Sequence, residues 1–153
     1  MSAYLRIVLA LFLVAAPRAK ADDIDRLPIS ATFVVSGGYW IGQSTEGDDA
    51  TPQRGYYKLV AIRQPDRTAR LYLQMIAAGD DGLRLVESAE LEEFTAIKPY
   101  VTGIRPDSME GVAGQPGFFA TVYLKTDPAQ ARVEEWTVLI DDLGDLRVER
   151  ASN

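Results

Sequence analysis

The sequence predicts an all-β domain of about eight short antiparallel strands arranged as a meander. Three observations carry that expectation. Apolar and polar residues alternate with period two through runs rich in Val, Ile, Thr, Tyr, Phe and Trp. Short turns containing Gly, Pro and Asp separate these runs. No long stretch of helical period interrupts them. A small up-and-down barrel and a two-sheet β-sandwich are the two closures open to such a chain, and the sequential hairpins favour the barrel.

The elements follow in order. Ile29–Ser36 (ISATFVVS) places Ile29, Ala31, Phe33 and Val35 on one face and Ser30, Thr32 and Ser36 on the other. Gly37-Gly38 then permits a bulge or sharp bend before Tyr39-Trp40-Ile41. Residues 42–54 (GQSTEGDDATPQR) form a long polar loop. Gly55–Arg63 and Ala69–Ala77 flank Gln64-Pro65-Asp66-Arg67-Thr68. There proline presets φ and the aspartate can bond back to the backbone, so the pair reads as an antiparallel hairpin. Ala78–Gly82 makes a further turn, into a third strand at Leu83–Ser88.

Residues 89–96 (AELEEFTA) set Leu91 and Phe94 three apart, as one helical turn would. The segment is too short for an independent helix, so it reads as a turn of helix or an irregular strand entry. Ile97–Arg105 is β-rich, yet Pro99 lacks the amide of a central strand and points to an edge or a bulge. Pro106–Gly117 is the second long loop. Phe118–Lys125, the turn Thr126–Arg132 and Val133–Ile140 make a second hairpin, with Trp136, Val138 and Ile140 on one face. Asp141-Asp142-Leu143-Gly144 turns into Asp145–Arg150, where Leu146 and Val148 continue the inward side.

The first 21 residues differ from everything after them. Arg6 and the amino terminus precede ten unbroken apolar residues, Ile7–Ala16, followed by Pro17 and then Ala19-Lys20-Ala21. This is the layout of a secretory signal, too short to cross a bilayer stably, with cleavage expected after Ala21. The chain then divides into a signal peptide (1–21), a flexible leader (22–28) and one β domain (29–153). Cysteine is absent, so neither disulfides nor lipid attachment after the signal are available. The expected product is a periplasmic or secreted protein that does not insert in a membrane once cleaved.

Composition also excludes chemistry. Without histidine or cysteine the chain cannot build Ser-His-Asp or Cys-His machinery, the usual zinc sites, or haem ligation through those residues. The formal charge is −6, and removal of Arg6, Arg18 and Lys20 with the signal deepens it, which argues against nucleic acid or an anionic membrane surface as a partner. Acid-rich turns recur at 46–49, 80–82 and 141–145, but none alternates as a calcium-binding loop does, and Asp and Gly are ordinary turn residues. No metal or cofactor is expected. Among 22 acidic residues some pair will lie at glycosidase spacing by chance, and the Thr95…Lys98 spacing lacks the helical setting of a hydroxyl–lysine dyad. The balance leans away from an enzyme.

Candidate binding residues are aromatic. Gly38-Tyr39-Trp40 resembles the G-x-W that opens lipocalin-type barrels. That resemblance spans three residues and implies a tryptophan over the closed end, covered by an arginine of the last strand, Arg147 or Arg150. The other reading makes Trp40 ordinary core. Tyr56-Tyr57 and Phe118-Phe119 are adjacent aromatic pairs, and neighbours on a strand face opposite ways. Tyr56 and Phe118 therefore join Tyr39, Trp40 and Arg147 as candidates for ligand or partner contact. The leading functional expectation is a non-catalytic exported domain that binds a protein partner at the bacterial envelope, through an exposed aromatic patch or an unprotected strand edge near Pro99. The alternatives are a lipocalin-like protein holding a small apolar ligand in a cavity near loops 42–54 or 106–117, and a carboxylate-based hydrolase.

Overall fold

The computed structural model describes residues 23–42, 52–107 and 114–152. The expected signal segment lies outside these residues, as do positions 43–51 and 108–113 of the two expected loops. A short 3-10 turn, Asp23–Arg26, occupies part of the expected leader. Eight strands follow: β1 (Ala31–Ile41), β2 (Arg54–Arg63), β3 (Ala69–Gly79), β4 (Gly82–Glu90), β5 (Tyr100–Pro106), β6 (Phe118–Lys125), β7 (Glu134–Ile140) and β8 (Leu146–Arg150). One short helix, α1 (Glu92–Ile97), separates β4 from β5.

The protein is all-β, but the favoured barrel does not form. Two antiparallel four-stranded sheets, β1-β2-β3-β4 and β5-β6-β7-β8, make the sandwich instead. The reason lies in residues 91–99. A barrel would require the chain to leave β4 and pair onward with β5. Instead Leu91 and Phe94, both essentially inaccessible to solvent, turn the chain into the core. The Leu91 amide donates to the Leu71 carbonyl (2.8 Å), and the Ala69 amide donates to the Pro99 carbonyl (2.8 Å). The segment thus crosses the end of β3, and β5 starts a second sheet. β1 and β4 are the edges of the first sheet and β5 and β8 those of the second, with β1 and β5 in contact with each other.

Local turn chemistry explains the hairpins. β2 and β3 pair without a slip from Gly55 opposite Ala77 to Arg63 opposite Ala69. Their turn is pinned by Asp66, whose carboxylate accepts from the amide (3.0 Å) and hydroxyl (2.6 Å) of Thr68. Asp127 accepts the Ala129 amide (2.9 Å) after β6, and Asp141 accepts those of Leu143 (3.0 Å) and Asp145 (2.9 Å) after β7. Each aspartate supplies the acceptor that the reversing backbone lacks.

Alternation sorts the side chains. Tyr57, Leu59 and Ala61 of β2 face Leu71, Leu73 and Ala77 of β3, and meet Phe118, Ala120, Val122 and Leu124 of β6 in a single buried cluster. Tyr57 and Phe118 touch across it, with ring centroids 5.9 Å apart. Phe94 plugs one end, 5.8 Å from the Trp136 ring. Two inward assignments need correction. Ile29 lies before β1 and is fully exposed, and Leu146 is exposed at the start of β8. β1 also runs through Gly37-Gly38 as one bulged strand, with its register shifted between Gly37 and Trp40.

Candidate functional site

At one end of the sandwich the two sheets are joined by a pair of backbone hydrogen bonds. Tyr39 and Gly117 donate to each other's carbonyls at 3.0 and 2.8 Å. The Tyr39 hydroxyl also donates to the Gly114 carbonyl (2.9 Å), so this half-buried side chain is committed to the junction. Trp40 is 7 % exposed and packs within the core cluster, and its Nε1 has no hydrogen-bond partner among the described residues. Phe118 is wholly buried, while Phe119 faces away as the half-buried member of its pair.

Neither Arg147 nor Arg150 has a contact with Trp40 among the described residues. Arg147 is exposed and reaches Asp141 at 4.0 Å. Arg150 stands opposite Trp136 in the β7–β8 register and meets Glu134 at 3.4 Å. The cation–π contact among the described residues is Arg63 over Tyr100, 4.9 Å from the ring centroid. The two sheets do not close into a barrel, and a cluster of buried side chains packs between them.

Tyr56 leads to a different surface. It lies opposite Ile76, and Ile76 lies opposite Leu85, so the three form one row across the outer face of the first sheet. The row ends at β4, where every residue but Glu90 is exposed. Leu83 (68 % exposed) and Leu85 (52 %) continue the apolar surface to the open edge. On the opposite face of β4, Arg84 and Glu87 pair with the inward positions Ala77 and Met75. Val86 is the extra residue of a bulge between them, since Met75 pairs with Glu87 and Ile76 with Leu85. β4 is thus an edge strand of the first sheet, and β5, which begins directly after Pro99, is an edge strand of the second, with a bulge between Val101 and Gly103. Pro99 is buried, and its carbonyl is used by Ala69.

The largest concavity described, about 860 Å³, lies at the sandwich end opposite the Tyr39–Gly117 junction. Arg63, Asp66, Arg67, Lys98, Tyr100 and Lys125 are among its lining residues. Burial raises the pKa of the Tyr57 phenol, whereas the hydrogen bonds from Thr68 hold the Asp66 carboxyl below the usual range. Among the described residues, no group of three or more acidic side chains is placed to hold a metal ion.

Comparison with known proteins places no relative beside this chain. No family model matches it, no curated protein matches it, and no solved structure matches it.

Proposed function

We propose that this chain is an exported, non-catalytic β-sandwich domain that binds a protein partner at the bacterial envelope, taking an extended segment of that partner along β4. The observation that carries the reading is the nine-residue edge strand with Leu83 and Leu85 exposed beside unpaired backbone. An edge of that kind offers main-chain hydrogen bonds to an added strand, and alternate side chains select its sequence. In the row Tyr56–Ile76–Leu85, Leu85 is exposed and Ile76 is buried behind it, so Leu83 and Leu85 supply the apolar contact. Arg84 and Glu87 place opposite charges on the other face of the same edge, which disfavours indiscriminate pairing and favours a charge-matched partner.

Site-specific photocrosslinking in envelope preparations tests this reading. A crosslinker at Leu85 should yield a discrete adduct that disappears with Leu83→Lys, while one at Phe119, on the other sheet, should yield none. Equal labelling at Leu85 and Phe119, or no adduct at Leu85, would remove β4 as the docking edge. Mass spectrometry of the native protein tests export directly, since cleavage after Ala21 leaves a chain beginning at Asp22.

A further inference from the structure

The groove at the far end of the sandwich has a charge opposite to that of the chain. Against a formal charge of −6, its lining carries Arg63, Arg67, Lys98 and Lys125 with Asp66 as its acid. Both sheets contribute. Arg63 ends β2 and Arg67 lies in the β2–β3 turn, while Lys125 ends β6 directly opposite Tyr100 of β5. Lys98 follows α1 and completes the set.

These cations are only partly offset by neighbouring protein, through Asp66. None of the four forms an ion pair among the described residues. Three carboxylates at the same end have other partners. Glu90 meets Arg70 (3.8 Å) and accepts the Thr95 hydroxyl (2.6 Å). Glu134 meets Arg150 (3.4 Å) and accepts the Thr126 hydroxyl (2.9 Å), and Asp127 accepts the Ala129 amide. Asp66 takes both Thr68 donors on Oδ1, stays ionised and is the one carboxylate in the lining, where Lys98 acts on its charge. Four cations against that single acid leave a net positive potential that a bound anion would relieve.

The geometry is also held ready. Arg63 lies over the Tyr100 ring at 4.9 Å, which leaves the guanidinium edge free to donate. Arg67 (φ 71°) and Lys98 (φ 49°) are the described non-glycine residues with left-handed backbone, and both line this groove. Such positions favour glycine, so both cations sit on backbone that side-chain-bearing residues seldom adopt.

We infer that this groove is a binding site for a compact, multiply charged phosphate, held by Arg63 as a planar fork and by Arg67, Lys98 and Lys125 as point charges. The groove has room to spare for such an anion, so its charge rather than its size selects the ligand, while the acidic remainder of the chain repels a long polyanion. The phosphate is free in solution or carried on a lipid headgroup, and the same cations recognise both.

Calorimetric titration with inorganic triphosphate at low ionic strength tests the site, alongside sedimentation with phosphatidylglycerol and phosphatidylcholine vesicles. The expected result is one saturable site whose affinity falls on the order of tenfold or more in the Arg67→Gly/Lys98→Gly double variant. Arg105→Gln, on the opposite end of β5, should bind as the parent does. The glycines relax strained backbone and so preserve the fold, and Arg63→Gln gives an independent reading of the same loss. Binding to phosphatidylglycerol vesicles alone, lost in the same variants, supports the site and assigns its phosphate to a lipid. Absence of saturable binding to both probes, or equal affinity in the double variant and Arg105→Gln, overturns it.

Discussion

Gly38 and Gly117 approach so closely that a Cβ on Gly38 would stand 2.0 Å from the Gly117 carbonyl oxygen. Both have positive φ, 59° and 134°, and a Cβ on Gly117 would in turn meet the Ile140 carbonyl oxygen at 2.4 Å. Backbone rather than flexible side chain blocks each position. Gly38→Ala and Gly117→Ala should therefore each destabilise the fold by about 2–4 kcal/mol. Urea unfolding should show an earlier midpoint for both, and Gly79→Ala, which meets no atom within 4 Å, should be much milder.

Phe94 makes a second prediction. Its ring is wholly buried and lies 5.8 Å from Trp136, joining the helix after the first sheet to the second sheet. Phe94→Ala should lower stability by about 3–5 kcal/mol, the transfer loss and the cavity acting together. Phe94→Leu should recover much of that in the same denaturation assay.

Tyr57 predicts how stability responds to alkali. Burial raises its pKa above the ordinary phenol value, because the charged form is poorly solvated beside Phe118. The sign follows from linkage. The contribution is intact below the unfolded tyrosine pKa of about 10 and is lost as pH rises through the higher folded value. Tyr57→Phe should flatten the fall in stability at alkaline pH while leaving neutral stability nearly unchanged.

The two left-handed cations predict a gain. Arg67→Gly and Lys98→Gly remove a steric penalty of about 1–2 kcal/mol each and add roughly 0.4–1 kcal/mol of unfolded-chain entropy. Each should raise stability by about 0.5–1 kcal/mol, seen as a higher midpoint in thermal unfolding.

The hairpins were legible because their signals are local. Period-two alternation and a proline-aspartate turn specify the β2–β3 pair, and Asp66 bonds to Thr68 as that chemistry implies. Leu91 and Phe94 also announced the helical turn. What alternation could not supply was phase and partition. It says that Phe118 and Phe119 face opposite ways, but only the packed sandwich decides that Phe118 is the inner one. It equally could not say that the chain after β4 would dive under β3, because that depends on the fit of Phe94 against a strand some forty residues later.

The cationic groove was hidden for a different reason. Its four basic residues come from positions 63, 67, 98 and 125, on separate elements, with acidic neighbours such as Asp66 and Asp127 between them. A net charge sums over such positions and cannot register their convergence. The junction at Tyr39 was only half visible. The double glycine signalled a bulge, but not that the second sheet would use it as a place of contact.

Each sheet is one uninterrupted length of polypeptide, 31–90 for the first and 100–150 for the second, and no strand is exchanged between them. Strand pairing is thus between sequential neighbours within each sheet, while the core is made where the two meanders dock. Scission beside α1 would leave two complete half-domains, and their reassociation would rebuild the Tyr57–Phe118 contact from separate chains. The molecule is in that respect a covalent heterodimer, ready to serve as a split reporter of whatever brings its halves together.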